Sequence, residues 1–167
     1  IPLRIFRISF SGELAYEINV PADYGMALWK RLLDVGQSSG ITPYGTETMA
    51  VMRIEKGHFV IGAEADGRIA PQELGLDRML ALDKGFIGKR ALARKVFSKQ
   101  PHQRLVGLIP EDGKSTVPRG AQIVQKAHGP VPRPMVGHVT STCFSPTLDK
   151  PIALAMVDGL NVGAGDL

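Results

Sequence analysis

The spacing of apolar and polar positions changes twice along the chain, and each change marks a different kind of element. From Leu14 to Val20 the two classes alternate, with Leu14, Tyr16, Ile18 and Val20 separated by Ala15, Glu17 and Asn19. A period of two predicts a strand whose even positions face a core, which leaves Glu17 on the opposite face. Residues 3–10 are also strand-forming, and the Ser11-Gly12-Glu13 break predicts a tight turn joining the two runs into a hairpin. Downstream the spacing becomes helical. Leu28, Leu32 and Val35 fall on one side, widened by Trp29 and Leu33, so a helix is expected from an Asp23 N-cap to Val35, ended by Gly36. Thr46 is read as the cap of a second helix that runs to Lys56 and is closed by Gly57. Met49, Met52 and Lys56 share one side of it, while Arg53 points elsewhere. Shorter elements follow: a strand at His58–Ile61, a helical turn at Pro71–Leu76, a strand at Met79–Leu82 and a helix at Gly88–Phe97.

Beyond Ser98-Lys99-Gln100-Pro101 the helical spacing stops. Only short β-type runs remain, at Arg104–Ile109, Ala121–Gln125, Met135–Thr142 and Ile152–Val157, separated by Gly, Pro, Asp and Ser. This is the pattern of a small β-barrel or sandwich. The fold class expected is therefore α+β, with an α+β unit over residues 1–99 and an all-β barrel unit over residues 101–167.

Composition narrows the picture. A chain of 167 residues with 44% hydrophobic and 22% charged positions folds as one globular domain or two small ones and is not disordered. The net charge of +4 suits an anionic small ligand without requiring a nucleic acid, and no nucleic-acid motif is present. Lys84, Lys89, Arg90, Arg94, Lys95 and Lys99 crowd one stretch, which reads as a solvated helix face or as a docking surface for a partner subunit. Cys143 is the single cysteine, so internal disulfides and Cys-rich zinc sites are excluded, and its apolar strand predicts an inert buried thiol. His58, His102, His128 and His138 never stand at metal-ligand spacing, so no metal is expected. No P-loop and no Gly-x-Gly-x-x-Gly opens a helix, and Ser145-Pro146-Thr147 reads as a turn, not as a nucleophile elbow. No apolar run is long enough to span a membrane, and a cytoplasmic location is expected. The start at Ile1 inside a strand-like run, and the end on Gly163-Ala164-Gly165-Asp166-Leu167, suggest a piece of a longer polypeptide.

Two side chains offer ligand chemistry. Glu17, held mid-strand beside an aromatic, can accept hydrogen bonds from a donor-rich ring or can simply be solvated. Arg53 can bind a carboxylate through its fork or can form a structural salt bridge.

The motif Arg7-x-Ser9-Phe10-x-Gly12-Glu13-x-x-Tyr16-Glu17-Ile18 resembles the strand–turn–strand of the glycine-cleavage T-protein family, the tetrahydrofolate-dependent aminomethyltransferases. Further blocks resemble the family in order. They include Arg53-Ile54-Glu55-Lys56-Gly57, Lys84-Gly85-Phe86-Ile87-Gly88-Lys89-Arg90, and Phe144-Ser145-Pro146-Thr147-Leu148 of the C-terminal barrel. The Gly12-Glu13-Leu14-Ala15-Tyr16-Glu17 wording resembles the branch formed by the alpha subunits of heterotetrameric sarcosine oxidases. Phe86 and Lys89-Arg90 depart from the branch that serves iron–sulfur cluster maturation.

The resemblance implies a folate site in which Glu17 binds the pterin ring, Tyr16 adjoins it and Arg53 serves the anionic tail. Arg78 stands where many relatives carry a Trp. It implies that the carbon of oxidised sarcosine is captured as 5,10-methylenetetrahydrofolate. FAD, FMN and NAD would sit elsewhere in a complex with beta, gamma and delta subunits. The family's catalytic Asp would precede Ile1, so the fragment alone is expected to carry no catalytic residue and to be inactive. A T-protein aminomethyltransferase, a non-catalytic folate-binding regulator and a docking module are the alternatives.

Overall fold

The computed structural model describes residues 1–94, 103–124 and 129–159. Strands β1 (Arg4–Phe6) and β2 (Glu17–Asn19) pair antiparallel, placing Arg4 across from Asn19, Ile5 across from Ile18 and Phe6 across from Glu17. The hairpin exists, but its strands are shorter than the apolar runs. The intervening turn is seated on a neighbour: Gly12 has φ +83°, and a Cβ there would fall 2.6 Å from Lys56 Cγ.

A 3-10 turn at Ala22–Tyr24 leads into α1 (Gly25–Gly36). Asp23 lies inside that turn and does not cap the helix; Tyr24 occupies the cap position without a side-chain bond. Trp29, Met26 and Val35 of α1 remain exposed. Helix α2 (Thr46–Glu55) starts at Thr46 itself, because Gly45 holds the cap position, and it ends before Gly57 at φ +68°.

The strands expected at 58–61 and 79–82 do not form. Each run spends several of its backbone groups on local turns, and only Ile61 makes an isolated bridge, to Ala65. Val60 O accepts the N–H groups of Ala63, Glu64 and Ala65, while Val60 N–H donates to the Glu64 carboxylate. The N–H groups of Met79, Leu80 and Leu82 donate to carbonyls two or three residues back. The expected helical turn at 71–76 is a 3-10 helix over Pro71–Leu74, and a second covers Asp77–Met79. The helix expected over Gly88–Phe97 is only α3 (Lys89–Leu92): its last carbonyls are closed at Ala93 and Arg94, which are described and not helical, and residues 95–97 lie outside the described residues. Residues 95–102, with the expected domain boundary, and Gly163-Ala164-Gly165 lie outside the described residues, as do Lys95, Lys99, His102 and His128.

The second part is an antiparallel sheet of β3 (Gln103–Leu108), β4 (Gln122–Val124), β5 (Met135–Ser145) and β6 (Lys150–Asp158), in the order β3-β6-β5-β4. Strand β5 runs three residues past its expected end and meets β6 through a turn in which Asp149 has φ +52°. Strand β6 is buried from Pro151 to Val157, as its continuous apolar run requires for a central strand. Helix α2 lies against β5 and β6. Its Ile54 joins Ile152 and Leu154 in the core, with Leu105 and Cys143 packed beside them. Among the described residues no helix is long and apolar enough to cross a membrane, and no group of His, Cys, Asp or Glu is arranged to hold a metal.

Candidate functional site

The hairpin brings four side chains to one face by register: Arg4 and Phe6 from β1, Glu17 and Asn19 from β2. Glu17 is exposed, as expected for the face away from the core. No described residue forms a hydrogen bond or ion pair with the side chains of Tyr16, Glu17 or Arg78. A shallow concavity of about 350 Å³ at the end of the hairpin is lined by Pro2, Leu3, Arg4, Asn19, Val20 and Pro21. Alternation placed Tyr16 on a core face, and here the expectation is corrected. Tyr16 is 58% exposed and Leu14 69%, so this end of the face is left uncovered among the described residues. Ile18 and Val20 alone are half-buried. Arg78 projects from the 3-10 turn at Asp77–Met79 and is also exposed.

Arg53 is arranged differently. It is 7% exposed, and its guanidinium spans two parts of the chain. Nη1 donates to both Glu64 carboxylate oxygens, at 3.2 and 3.1 Å, and to the His58 carbonyl at 3.4 Å. Nη2 donates to Ser141 Oγ at 2.6 Å, and Ser141 Oγ in turn donates to Glu64 Oε1 at 2.6 Å. Of the two roles open to Arg53 in the sequence, this is the salt bridge. Burial pushes the Glu64 carboxyl up, but the bonds from Ser141 and the Val60 N–H, with the charge of Arg53, outweigh it and hold the group below its usual range.

Glu55 makes a second set of contacts to β5 and its turn. Its carboxylate accepts from the Ser145 hydroxyl, from the Thr147 N–H at 3.2 Å and from Thr147 Oγ1 at 3.0 Å. The Ser145 bond is the main reason that the Glu55 carboxyl is lowered. Glu73, buried, accepts from the Ala70 N–H at 2.7 Å and from the Gln103 N–H at 3.1 Å. Beside Glu55 a cavity of about 450 Å³ opens between the end of α2 and strands β3 and β6.

Residues 1–84 match the family model described as the GCVT N-terminal domain, and residues 103–166 match the glycine cleavage T-protein C-terminal barrel domain.

The chain belongs to the glycine cleavage T-protein family.

Among T-protein relatives, it is 42% identical over 161 residues to sarcosine oxidase subunit alpha of Corynebacterium sp. (strain P-1), covering 94% of this chain and 16% of that one. It is 44% identical over 154 residues to the same subunit of Rhizobium meliloti (strain 1021), covering 92% and 16%. Aminomethyltransferase of Streptomyces coelicolor is 34% identical over 170 residues, with 99% and 44% covered. The crystal structure of glycine cleavage system aminomethyltransferase T from Bartonella henselae superposes with a TM-score of 0.75 at 26% identity, covering 92% of this chain and 41% of that one. The chain thus spans about a sixth of the alpha subunits and less than half of the transferases.

Glu64, Glu73, Ser141 and Ser145 escaped the sequence reading. Hydroxyls four residues apart in the apolar β5 run were a usable signal for polar partners on one face. Pro71 followed by Glu73 was a capping signal for the Ala70 N–H, whereas the long-range partners of Glu64 and Glu73, Arg53, Ser141 and Gln103, had no signal in the sequence.

Proposed function

We propose that this chain is the C-terminal portion of the tetrahydrofolate-binding region in the alpha subunit of a cytoplasmic sarcosine oxidase. Residues 1–99 form the second half of the folate-binding unit and residues 101–167 the barrel. The oxidase branch is favoured over the transferases by identities of 40–44% against 34–35%. The observation that carries the folate reading is the Glu17 carboxylate, exposed, unpaired among the described residues and set beside Phe6. A fixed anion next to an aromatic fits a ring that presents several N–H donors.

Bound here, tetrahydrofolate supplies the nitrogen that captures the one-carbon unit of oxidised sarcosine as 5,10-methylenetetrahydrofolate. Glu17 accepts the ring's N–H groups and fixes its orientation. Arg78, exposed, offers a flat group for stacking, whereas Tyr16 adjoins the site from the other side of the strand. Arg53 is engaged by Glu64, Ser141 and the His58 carbonyl and reaches the hairpin indirectly, through the Lys56–Glu13 contact at the end of α2. Oxidation itself falls to the flavins, FAD and FMN, held with NAD elsewhere in an assembly with beta, gamma and delta subunits. The open apolar side chains of the hairpin and α1, among them Ile5, Phe6, Trp29 and Met26, support a longer polypeptide whose other segments cover them.

The test is product formation by the parent polypeptide in its complex. Sarcosine and tetrahydrofolate should yield 5,10-methylenetetrahydrofolate, and Glu17→Gln should lower the yield by weakening folate binding. Release of all the carbon as free formaldehyde, with or without Glu17, would refute the reading.

A further inference from the structure

Three carboxylates of the first part accept hydrogen bonds from the sheet part. Glu55 takes Ser145 and Thr147, Glu64 takes Ser141, and Glu73 takes the Gln103 N–H. Ile54 supplies the apolar contact between the first two. Ser141 and Ser145 stand roughly 13 Å apart on β5, at about 3.3 Å per residue. The segment Arg53-Ile54-Glu55 therefore grips one strand at two points. Its continuation holds the hairpin: Lys56 Nζ lies 3.2 Å from Glu13 Oε1, and Gly12 packs on Lys56 and His58. The His58 carbonyl closes the set by accepting from Arg53. Six consecutive residues, Arg53 to His58, thus contact both the sheet and the turn that leads into Glu17.

We infer that Arg53 and Glu55 are positioning residues that set the Glu17 hairpin against the sheet, and that Arg53 influences folate binding through this placement without touching the ligand's anionic tail. Both donor ends of the guanidinium are engaged, and its charge is matched by Glu64. Turning it toward a ligand would strand Glu64, 1% exposed, as an unpaired buried carboxylate. The inference rests on the folate reading for its ligand and on the contacts above for its mechanism.

The experiment compares two probes in the parent polypeptide: tetrahydrofolate, and tetrahydropterin without the benzoylglutamate tail. Arg53→Lys keeps the charge but loses the fork. Ser141→Ala removes the sheet-side partner. Each should weaken both probes by the same factor, roughly threefold to thirtyfold, the span of coupling through a contact network. The double variant should be no worse than the worse single one. A loss confined to tetrahydrofolate in Arg53→Lys, with Ser141→Ala unaffected, would overturn the inference. A ligand-free measurement runs alongside. Amide exchange of Ile5 and Ile18 should quicken in both variants while that of Ala155, at the centre of β6, stays unchanged. Should neither probe bind the wild type, the folate reading fails and the exchange result decides alone: unchanged hairpin exchange would overturn the positioning role.

Discussion

Phe6 stands directly across the hairpin from Glu17, so the nearest neighbour of this carboxylate on its own face is an aromatic ring. With no cation holding it among the described residues, Glu17 is available to a ligand. Glu17→Gln preserves shape and removes the charge. In the parent polypeptide it should weaken tetrahydrofolate binding by roughly 1–3 kcal/mol, the range for a lost charged hydrogen bond. Calorimetric titration measures this directly, and an unchanged Kd would contradict the site.

Gly12 and Gly40 separate two costs of adding a methyl group. Both have positive φ, +83° and +73°, but only Gly12 faces a neighbour, with Lys56 Cγ 2.6 Å from the added Cβ. Gly40→Ala should cost about 1 kcal/mol, from backbone strain alone. Gly12→Ala should cost about 1–3 kcal/mol more, because the Lys56 side chain or the turn itself must give way to the added methyl. Urea unfolding of the two variants checks the difference.

Glu55 and Glu64 both titrate below the ordinary carboxylate value of 4.5 when folded. A depressed carboxyl binds fewer protons in the folded state than in the unfolded one. Stability therefore rises with pH through that window. Their contribution is complete above the unfolded value and is lost as pH falls through the folded values. Urea midpoints should hold above about pH 5 and decline below it, and Glu64→Gln should flatten the decline.

Burial, and after it the nearby Glu55 charge, pushes the Cys143 thiol above its ordinary value. Less thiolate means slower chemistry. Modification by a maleimide near pH 7.5 should be several-fold slower in the folded chain than in urea. Equal rates would place Cys143 in a different environment.

How far the sequence reached is best judged residue by residue. Alternation from Leu14 to Val20 located the second strand of the hairpin and the face that Glu17 shares with Asn19, because a two-residue period is a property of the strand itself. The same alternation misplaced Tyr16, since a face becomes core only when another element covers it. Apolar runs announced β5 and β6, but an equally apolar run at 58–61 became a loop, because the Glu64 carboxylate claimed its backbone N–H. Arg53 was visible as a charged group at a helix end, whereas its partner Ser141 lies 88 residues away and no spacing rule reaches that far.

Glu73 accepts one N–H at Ala70 and another at Gln103, so a single carboxylate pins both ends of the chain between them. Lengthening a tethered loop is cheap, about 0.6 kcal/mol for each doubling. Insertions in that stretch would leave the pairing of β3 with β6 undisturbed. Between these anchors, but away from the Arg78 turn, the molecule can thus accept new length, and with it new contacts, while Glu73 keeps the first strand of the sheet in place.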